Sequence, residues 1–192
     1  MALLFILLRN LRGLTTLSLI LFCLLFPSLS SAQSVYYSIE DISLEVFKDG
    51  APDAKTLWLQ AEQKQEAQRI ANMELRQARI KYWQSGDTAL WILSDIGKER
   101  PITFAVVTRA QKIERIEVMI FREARGDEIR LPAYTAQFVD QMLTDEGKLS
   151  RHVDGISGAT YSVRTMKRIA RLALLLDRWI APSNASTVVG AE

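Results

Sequence analysis

The stretch ARIKYWQSGDTALWILSDIGKERPITFAVVTRAQKIERIEVMIF, residues 78–121, holds four apolar runs separated by turn residues. Glycine, aspartate, serine and one proline interrupt the runs, which is the composition of tight turns. Short consecutive strands joined by tight turns pair with their neighbours as hairpins. The sequence therefore predicts an antiparallel sheet with strands at Ala78–Trp83, Ala89–Leu93, Ile102–Thr108 and Ile113–Phe121.

The segments on either side of this stretch predict one further strand and three helices. Ser34–Phe47 alternates loosely between apolar and polar residues, which predicts a strand. Periodic apolar residues predict helices from about Leu59 to Met73, from Ala133 to Leu143 and from Thr160 to Trp179, the last one amphipathic. The predicted fold class is α+β, a mainly antiparallel sheet with helices packed against one side and an amphipathic helix at the C-terminus.

The N-terminus has the pattern of an export signal. Two arginines precede an apolar run at 14–26 and a stretch of small residues that ends at Ala32. We therefore predict a signal peptide at 1–32, one domain at 33–180 and a disordered tail at 181–192. The predicted location is periplasmic or otherwise extracytoplasmic. An uncleaved signal would instead tether the protein to a membrane.

Charge and cysteine content narrow the functional classes. The sequence has 24 basic and 22 acidic residues, and the excess lies in Arg9 and Arg12, so the predicted mature domain is balanced. That balance gives no electrostatic basis for binding nucleic acid. Cleavage after Ala32 would remove Cys23, the only cysteine, and with it any disulfide or thiolate metal site. With one histidine, His152, we predict no metal site and expect that side chain at the surface.

A loop of small residues leads into the last predicted helix, Asp154-Gly155-Ile156-Ser157-Gly158-Ala159-Thr160-Tyr161-Ser162. Its glycines and its alanine would let a ligand approach the backbone closely. Ser157 and Thr160 are residue types that cap helices. A helix start with unpaired N–H groups attracts anions such as phosphate. From the residues alone, both an anion site and a plain helix cap stay open.

The same loop resembles the flavin-acceptor signature of the FMN-binding domain family, in which an aspartate precedes a Ser/Thr-Gly-Ala-Thr core. Asp154 and the core Ser157–Thr160 match that pattern. Members of the family include the flavin-bearing subunits of the Rnf and sodium-pumping quinone reductase complexes and many exported single-domain proteins. A second segment, Arg122–Arg130 followed by Gln137-Phe138, resembles the region before the acceptor loop in exported members linked to respiratory chains. The resemblance covers roughly Trp83 to Trp179 and implies FMN as the cofactor.

The resemblance further implies that a separate flavin transferase moves FMN from FAD onto the hydroxyl of Thr160. The other cofactor-binding residues that it implies are those of the acceptor loop, Asp154, Gly155, Ile156, Ser157, Gly158 and Ala159. We expect the phosphate charge to be offset by the helix start and by Arg125 or Arg130. A solvated charged loop is the alternative for these arginines.

Two further groups of side chains enter the predictions. Four are candidates for the apolar surface under the isoalloxazine ring, although large aromatics more often pack in the core: Trp83, Trp91, Leu131 and Tyr134. The last helix carries four basic residues that we expect on its solvent face, with docking of an acidic redox partner as the alternative: Arg164, Lys167, Arg168 and Arg171.

Three functions are compatible with the sequence. We favour an exported electron carrier that works with a membrane-bound or exported redox partner, because no nicotinamide fingerprint and no nucleophile–base pair stands out. A flavin-bearing subunit of an ion-pumping complex is a variant of this function. A flavin-dependent reductase of a small substrate is the second hypothesis. A module that uses the fold without flavin is the third.

Overall fold

The computed structural model describes residues 33–181. The predicted signal peptide, 1–32, and the predicted tail beyond Ala181 lie outside the described residues. Within the described part of the chain, no helix combines the length and the apolar character needed to cross a bilayer.

In the described part of the chain, six strands form one antiparallel sheet in the spatial order β1-β6-β5-β4-β3-β2. Their bounds are Ser34–Val35 (β1), Lys55–Trp58 (β2), Arg79–Ser85 (β3), Thr88–Ile96 (β4), Pro101–Arg109 (β5) and Lys112–Phe121 (β6). Ala110 and Gln111, between β5 and β6, both have positive φ, as a two-residue hairpin turn of this kind requires. The four strands predicted within residues 78–121 are confirmed, whereas β2 was not predicted.

Within residues 33–181, four α-helices accompany the sheet. Their bounds are Ile39–Val46 (α1), Ala61–Ala71 (α2), Pro132–Thr135 (α3) and Thr160–Ile180 (α4). Short 3₁₀ turns at Asp127–Arg130 and Ala136–Phe138 flank α3. The predicted helices that correspond to α2 and α4 are confirmed, and so is the α+β class.

The predicted strand at Ser34–Phe47 is wrong beyond its first two residues, because a capping box starts α1 there. Ser38 Oγ accepts a hydrogen bond from the backbone N–H of Asp41 (3.0 Å). Asp41 Oδ2 accepts one in return from the backbone N–H of Ser38 (3.2 Å). This reciprocal pair satisfies two donors that a helix start otherwise leaves unpaired, and it outweighs a loose alternation of apolar residues.

The helix predicted at Ala133–Leu143 is also too long. Helical structure ends at Phe138, and the next residues bond to the edge of the sheet instead. Asp140, at φ +60°, donates its N–H to the carbonyl of Ile113 (2.8 Å), and Ile113 donates to the carbonyl of Gln141 (3.0 Å). These backbone bonds to β6 replace the helical bonds that the pattern predicted.

Helices cover both faces of the sheet, which corrects the predicted one-sided packing. On one face, α2 and α4 bury the larger core, in which Phe104 of β5 and Met166 of α4 are wholly inaccessible. On the other face, Ile42 of α1 packs with Leu90 and Val107. The larger core fixes α4 against the sheet and so determines where the first residue of α4 stands.

A buried chain of polar groups fixes the C-terminal end of α4. Trp91 Nε1 donates to Thr108 Oγ1 (3.0 Å), and Thr108 Oγ1 donates to Asp177 Oδ1 (2.7 Å). The N–H of Gln111, in the β5–β6 turn, donates to Asp177 Oδ2 (3.0 Å). Burial raises the pKa of Asp177, although its hydrogen bonds oppose that rise. The helix is thereby held at the end opposite to the acceptor loop.

Candidate functional site

The helix α4 begins at Thr160 without a side-chain cap. Ala159 occupies the N-cap position, and in the described residues no side chain caps this helix start. Of the two possibilities that the sequence left open, a plain cap by Ser157 or Thr160 is not formed, because the residue at the capping position has no polar side chain. Gly158 has φ +85°, a left-handed conformation that glycine adopts without steric penalty. Thr160 is exposed beside N–H groups that helix geometry leaves unpaired.

A depression of about 370 Å³ lies beside Thr160. The acceptor loop, the start of α4, the β4–β5 loop and the segment 123–125 line it. Lys98 and Arg125 contribute two cations, so the structure brings the predicted Arg125 to the same depression as Thr160. Arg130 does not line it, and its Nε lies 3.3 Å from Asp127 Oδ2 instead.

Close packing accounts for one of the small residues of the acceptor loop. Ala159 is 3% exposed, and its Cβ would lie 3.4 Å from a β-carbon placed on Gly126. A larger side chain at 159 would push the segment before the first 3₁₀ turn away from α4. Gly155 differs, since a β-carbon there would meet nothing within 4 Å. The loop is therefore tightly packed at its end and open at its beginning.

Thr160 also lines a second, larger depression of about 610 Å³. Leu149, Val153 and Val163 give it apolar surface. Several cations surround that surface, among them Arg164, Lys167 and Arg171. Thr160 thus belongs to two adjoining depressions. Cations predominate in the larger one, whereas Glu99 and Glu123 accompany Lys98 and Arg125 in the smaller one.

The prediction that the basic residues of α4 form its solvent face is correct only for Arg164, which is exposed. Arg168 Nη1 lies 2.9 Å from Asp95 Oδ2 in a mostly buried ion pair. Lys167 Nζ donates to the carbonyl of Val153 (2.5 Å), and burial lowers its pKa. Arg171 Nη2 donates to the carbonyl of Ala71, at the end of α2 (3.1 Å). These three side chains reach sideways from the helix and bind a carboxylate or backbone carbonyls of neighbouring segments, contacts that helical periodicity does not reveal.

The segment before the acceptor loop is held by a buried glutamine that the sequence analysis missed. Gln141 is wholly buried, and its Oε1 accepts from the N–H of Arg151 (2.9 Å) and from Ser150 Oγ (3.1 Å). Its Nε2 donates to the carbonyls of Gln137 (3.1 Å) and Arg151 (3.2 Å). A glutamine among charged loop residues gives no sequence signal for such a role.

Two further side chains fix Asp154 at the start of the loop. Gln137 Oε1 accepts from the Asp154 N–H (2.8 Å), and the Tyr134 hydroxyl donates to the Asp154 carbonyl (3.3 Å). Burial raises the pKa of Tyr134 to about 12, and the Asp154 carboxylate adds to the rise. The Asp154 carboxylate itself is exposed, 3.7 Å from His152 Nε2. His152 lies at the surface, as predicted.

The side chains proposed as the flavin surface do not line either depression. Trp91 is wholly buried and stacks on Tyr82 at 4.9 Å between ring centroids. Trp83 packs on the sheet face that α1 covers. Tyr134 is 5% exposed, whereas Leu131 is exposed away from both depressions. The two tryptophans pack in the hydrophobic cores instead of lining a flavin site, because both lie on strands whose side chains point into one core or the other.

The groups around Thr160 fit a flavin phosphate chemically: an exposed hydroxyl, an uncapped helix start and two cations. No cluster of His, Cys, Asp or Glu that could hold a metal ion occurs within residues 33–181. No curated protein matches the chain. Residues 97–175 match the family model of the FMN-binding domain, and this match includes the β4–β5 loop, Arg125 and the acceptor loop. The match supports the FMN-binding domain family for this part of the chain and indicates FMN as its cofactor.

Proposed function

We propose that this chain carries FMN covalently on Thr160, through a phosphoester to the side-chain oxygen. The observation that most supports the proposal is the exposed Thr160 side chain at an uncapped helix start, where two depressions adjoin. A transferase can reach a hydroxyl in this position without unfolding the domain.

The attachment is a substitution at phosphorus with FAD as the donor. The bond between Thr160 Oγ1 and the FMN phosphorus forms as the bond that links the two phosphates of FAD breaks, and AMP leaves. A threonine hydroxyl is a weak nucleophile, so the transferase supplies the base that takes its proton. The exposed carboxylate of Asp154 would contribute to recognition by the transferase.

The chain's own residues would hold the attached phosphate. A phosphodiester keeps one negative charge, which the positive end of the α4 dipole and its first N–H groups favour. Arg125 lines the depression that Thr160 shares and would add a charge-assisted contact. Lys98 lines it too and would add a second contact if its Nζ, which lies 3.6 Å from Glu99 Oε1, turned to the phosphate. Thr160 therefore stands where several features of the chain favour an anion.

We further propose that the protein is an exported electron carrier in a membrane-linked redox chain. FMN, when bound, accepts and releases one or two electrons. Export is proposed from the signal pattern in residues 1–32. The exposed position of Thr160 would let a membrane-bound or exported partner approach the cofactor closely. A retained N-terminal segment would instead favour a membrane-anchored subunit of an ion-pumping complex.

One feature favours the second candidate, a reductase of a small substrate. The larger depression offers apolar surface from Leu149, Val153 and Val163 and charge from Arg164 and Lys167. A small anionic substrate would fit such a site beside the flavin. Reoxidation of the reduced protein by one class of small anion, and not by a range of artificial acceptors, would support this candidate.

The attachment is tested by making the protein with an active flavin transferase and measuring intact mass. Wild type should gain the mass of FMN less one water and should be yellow. Thr160→Ala should gain nothing, whereas the control Thr56→Ala, an exposed threonine of β2 outside the loop, should be modified like wild type. Covalent flavin on Thr160→Ala, or its absence from wild type made with the transferase, would overturn the proposal.

A further inference from the structure

A side chain from outside the β4–β5 hairpin closes its loop. The backbone N–H groups of Lys98, Glu99 and Arg100 all donate to Glu123 Oε1, at 2.5, 2.7 and 2.9 Å. Consecutive N–H groups that converge on one oxygen form the concave arrangement with which backbone binds anions. Here the anion is the protein's own carboxylate.

Gly97 leaves the room that this contact needs. A β-carbon on Gly97 would stand 2.5 Å from Glu123 Oε1 and 3.1 Å from Glu123 Cγ. Any side chain at 97 would therefore displace the carboxylate from the three N–H groups. The contact between Glu123 and the loop therefore requires glycine at position 97, although the two residues are far apart in sequence.

Both ends of the loop are held by other bonds, and its tip is fixed by Glu123 together with one turn bond, from the Gly97 N–H to the Arg100 carbonyl (2.9 Å). At the end of β4, the carbonyl of Ile96 accepts from Thr165 Oγ1 of α4 (2.9 Å). At the start of β5, the carbonyl of Pro101 accepts from Arg122 Nη1 (3.2 Å). Removing the carboxylate would leave these ends in place and release the three N–H groups between them.

The loop tip and Glu123 both line the smaller depression beside Thr160. We infer that Glu123 is a positioning residue of the flavin site, whose carboxylate holds the backbone of 98–100 in the shape that receives FMN. The inference rests on the proposed attachment of FMN to Thr160. Because Glu123 Oε1 accepts hydrogen bonds from three N–H groups of the loop, Glu123 affects the flavin site indirectly, through the loop backbone.

The test compares wild type, Glu123→Gln, Glu123→Ala and the control Glu128→Ala, an exposed carboxylate of the same segment. The first measurement is the rate of FMN attachment with purified transferase and FAD. The second, made after attachment, is the fluorescence anisotropy of the attached flavin. We expect Glu123→Ala to slow attachment roughly tenfold, because a tenfold change corresponds to the loss of about one charged hydrogen bond. The same variant should lower the anisotropy of the attached flavin. The attachment rate should fall less in Glu123→Gln, because the amide oxygen still accepts hydrogen bonds from the loop.

Added acetate should restore part of the rate in Glu123→Ala, since a carboxylate can refill the three N–H groups, whereas chloride at equal ionic strength should not. Equal rate and anisotropy in Glu123→Ala and Glu128→Ala would overturn the inference while leaving the attachment to Thr160 intact. An equal loss in the Gln and Ala variants that acetate does not relieve would also overturn it, because that result indicates general unfolding. Failure of wild type to gain FMN would instead remove the proposed function, and the inference with it.

Discussion

The Oγ atom of Ser162 lies 2.5 Å from the point that a β-carbon on Gly126 would occupy. Gly126 also has φ +92°, which side-chain-bearing residues adopt only with strain. The segment that carries Arg125 can therefore approach the start of α4 only because residue 126 is glycine. This contact joins two of the parts of the chain that line the smaller depression, the segment 123–125 and the start of α4.

Gly126→Ala should lower the free energy of unfolding by about 2–4 kcal/mol, from backbone strain and from overlap with Ser162. Gly86→Ala is the matched control, because Gly86 has φ +58° but open space around it, and it should cost only about 1 kcal/mol. Adding Ser162→Ala to Gly126→Ala should recover part of the loss. Urea denaturation measures all of these values. An equal decrease in the free energy of unfolding for the two glycine variants would show that the contact with Ser162 does not contribute to stability.

Gln141→Met should lower the free energy of unfolding by about 2–4 kcal/mol, because it removes the wholly buried amide of Gln141 and leaves partly buried backbone groups of Arg151 without partners. Amide hydrogen exchange should also accelerate in residues 150–154, next to the acceptor loop. The control Gln77→Met changes an exposed glutamine and should alter neither quantity. Unchanged exchange in residues 150–154 would contradict the supporting role of Gln141.

Arg125→Gln should weaken the binding of FMN to unmodified protein roughly tenfold, by removing one charge-assisted contact to phosphate. Arg130→Gln should leave binding unchanged, because Arg130 pairs with Asp127 and does not line the depression. Quenching of FMN fluorescence on titration measures both affinities. Equal losses in the two variants would mean that net charge, rather than position, determines binding.

The stability of wild type should depend on pH through Asp177. Its folded pKa is raised by burial, so the folded state disfavours the ionised carboxylate more than the unfolded chain does. The contribution of Asp177 is therefore complete below the unfolded pKa of about 3.9 and declines as the pH rises through the folded pKa. Subtracting the pH profile of Asp177→Asn from that of wild type isolates this decline. A flat difference between pH 3 and pH 7 would refute the assignment.

The strands of residues 78–121 and the helix α4 were predictable because each has a periodic pattern that matches its final environment. The acceptor loop was predictable for another reason, since Asp154 and the core Ser157–Thr160 follow one another in sequence. By contrast, α1 depends on a capping box between Ser38 and Asp41. The alternating apolar residues nearby predicted a strand and hid this three-residue spacing.

The remaining features of the site depend on contacts between distant segments. Glu123 meets the β4–β5 loop only after β5 and β6 have paired, so its partners cannot be inferred from local pattern. Lys167 and Arg168 were assigned to solvent because charged residues on a helix usually point there. Their partners Val153 and Asp95 lie in other elements, which the helical period of α4 does not identify.

The most direct measurement of the central claim is tandem mass spectrometry of a tryptic digest of the yellow protein. Cleavage after Arg151 and Arg164 gives one peptide, His152–Arg164, that contains three hydroxyl-bearing residues besides Thr160. We expect this peptide to carry FMN less one water and the fragment ions to place the added mass on Thr160. Added mass on Ser157, Tyr161 or Ser162, or on any other peptide, would contradict it.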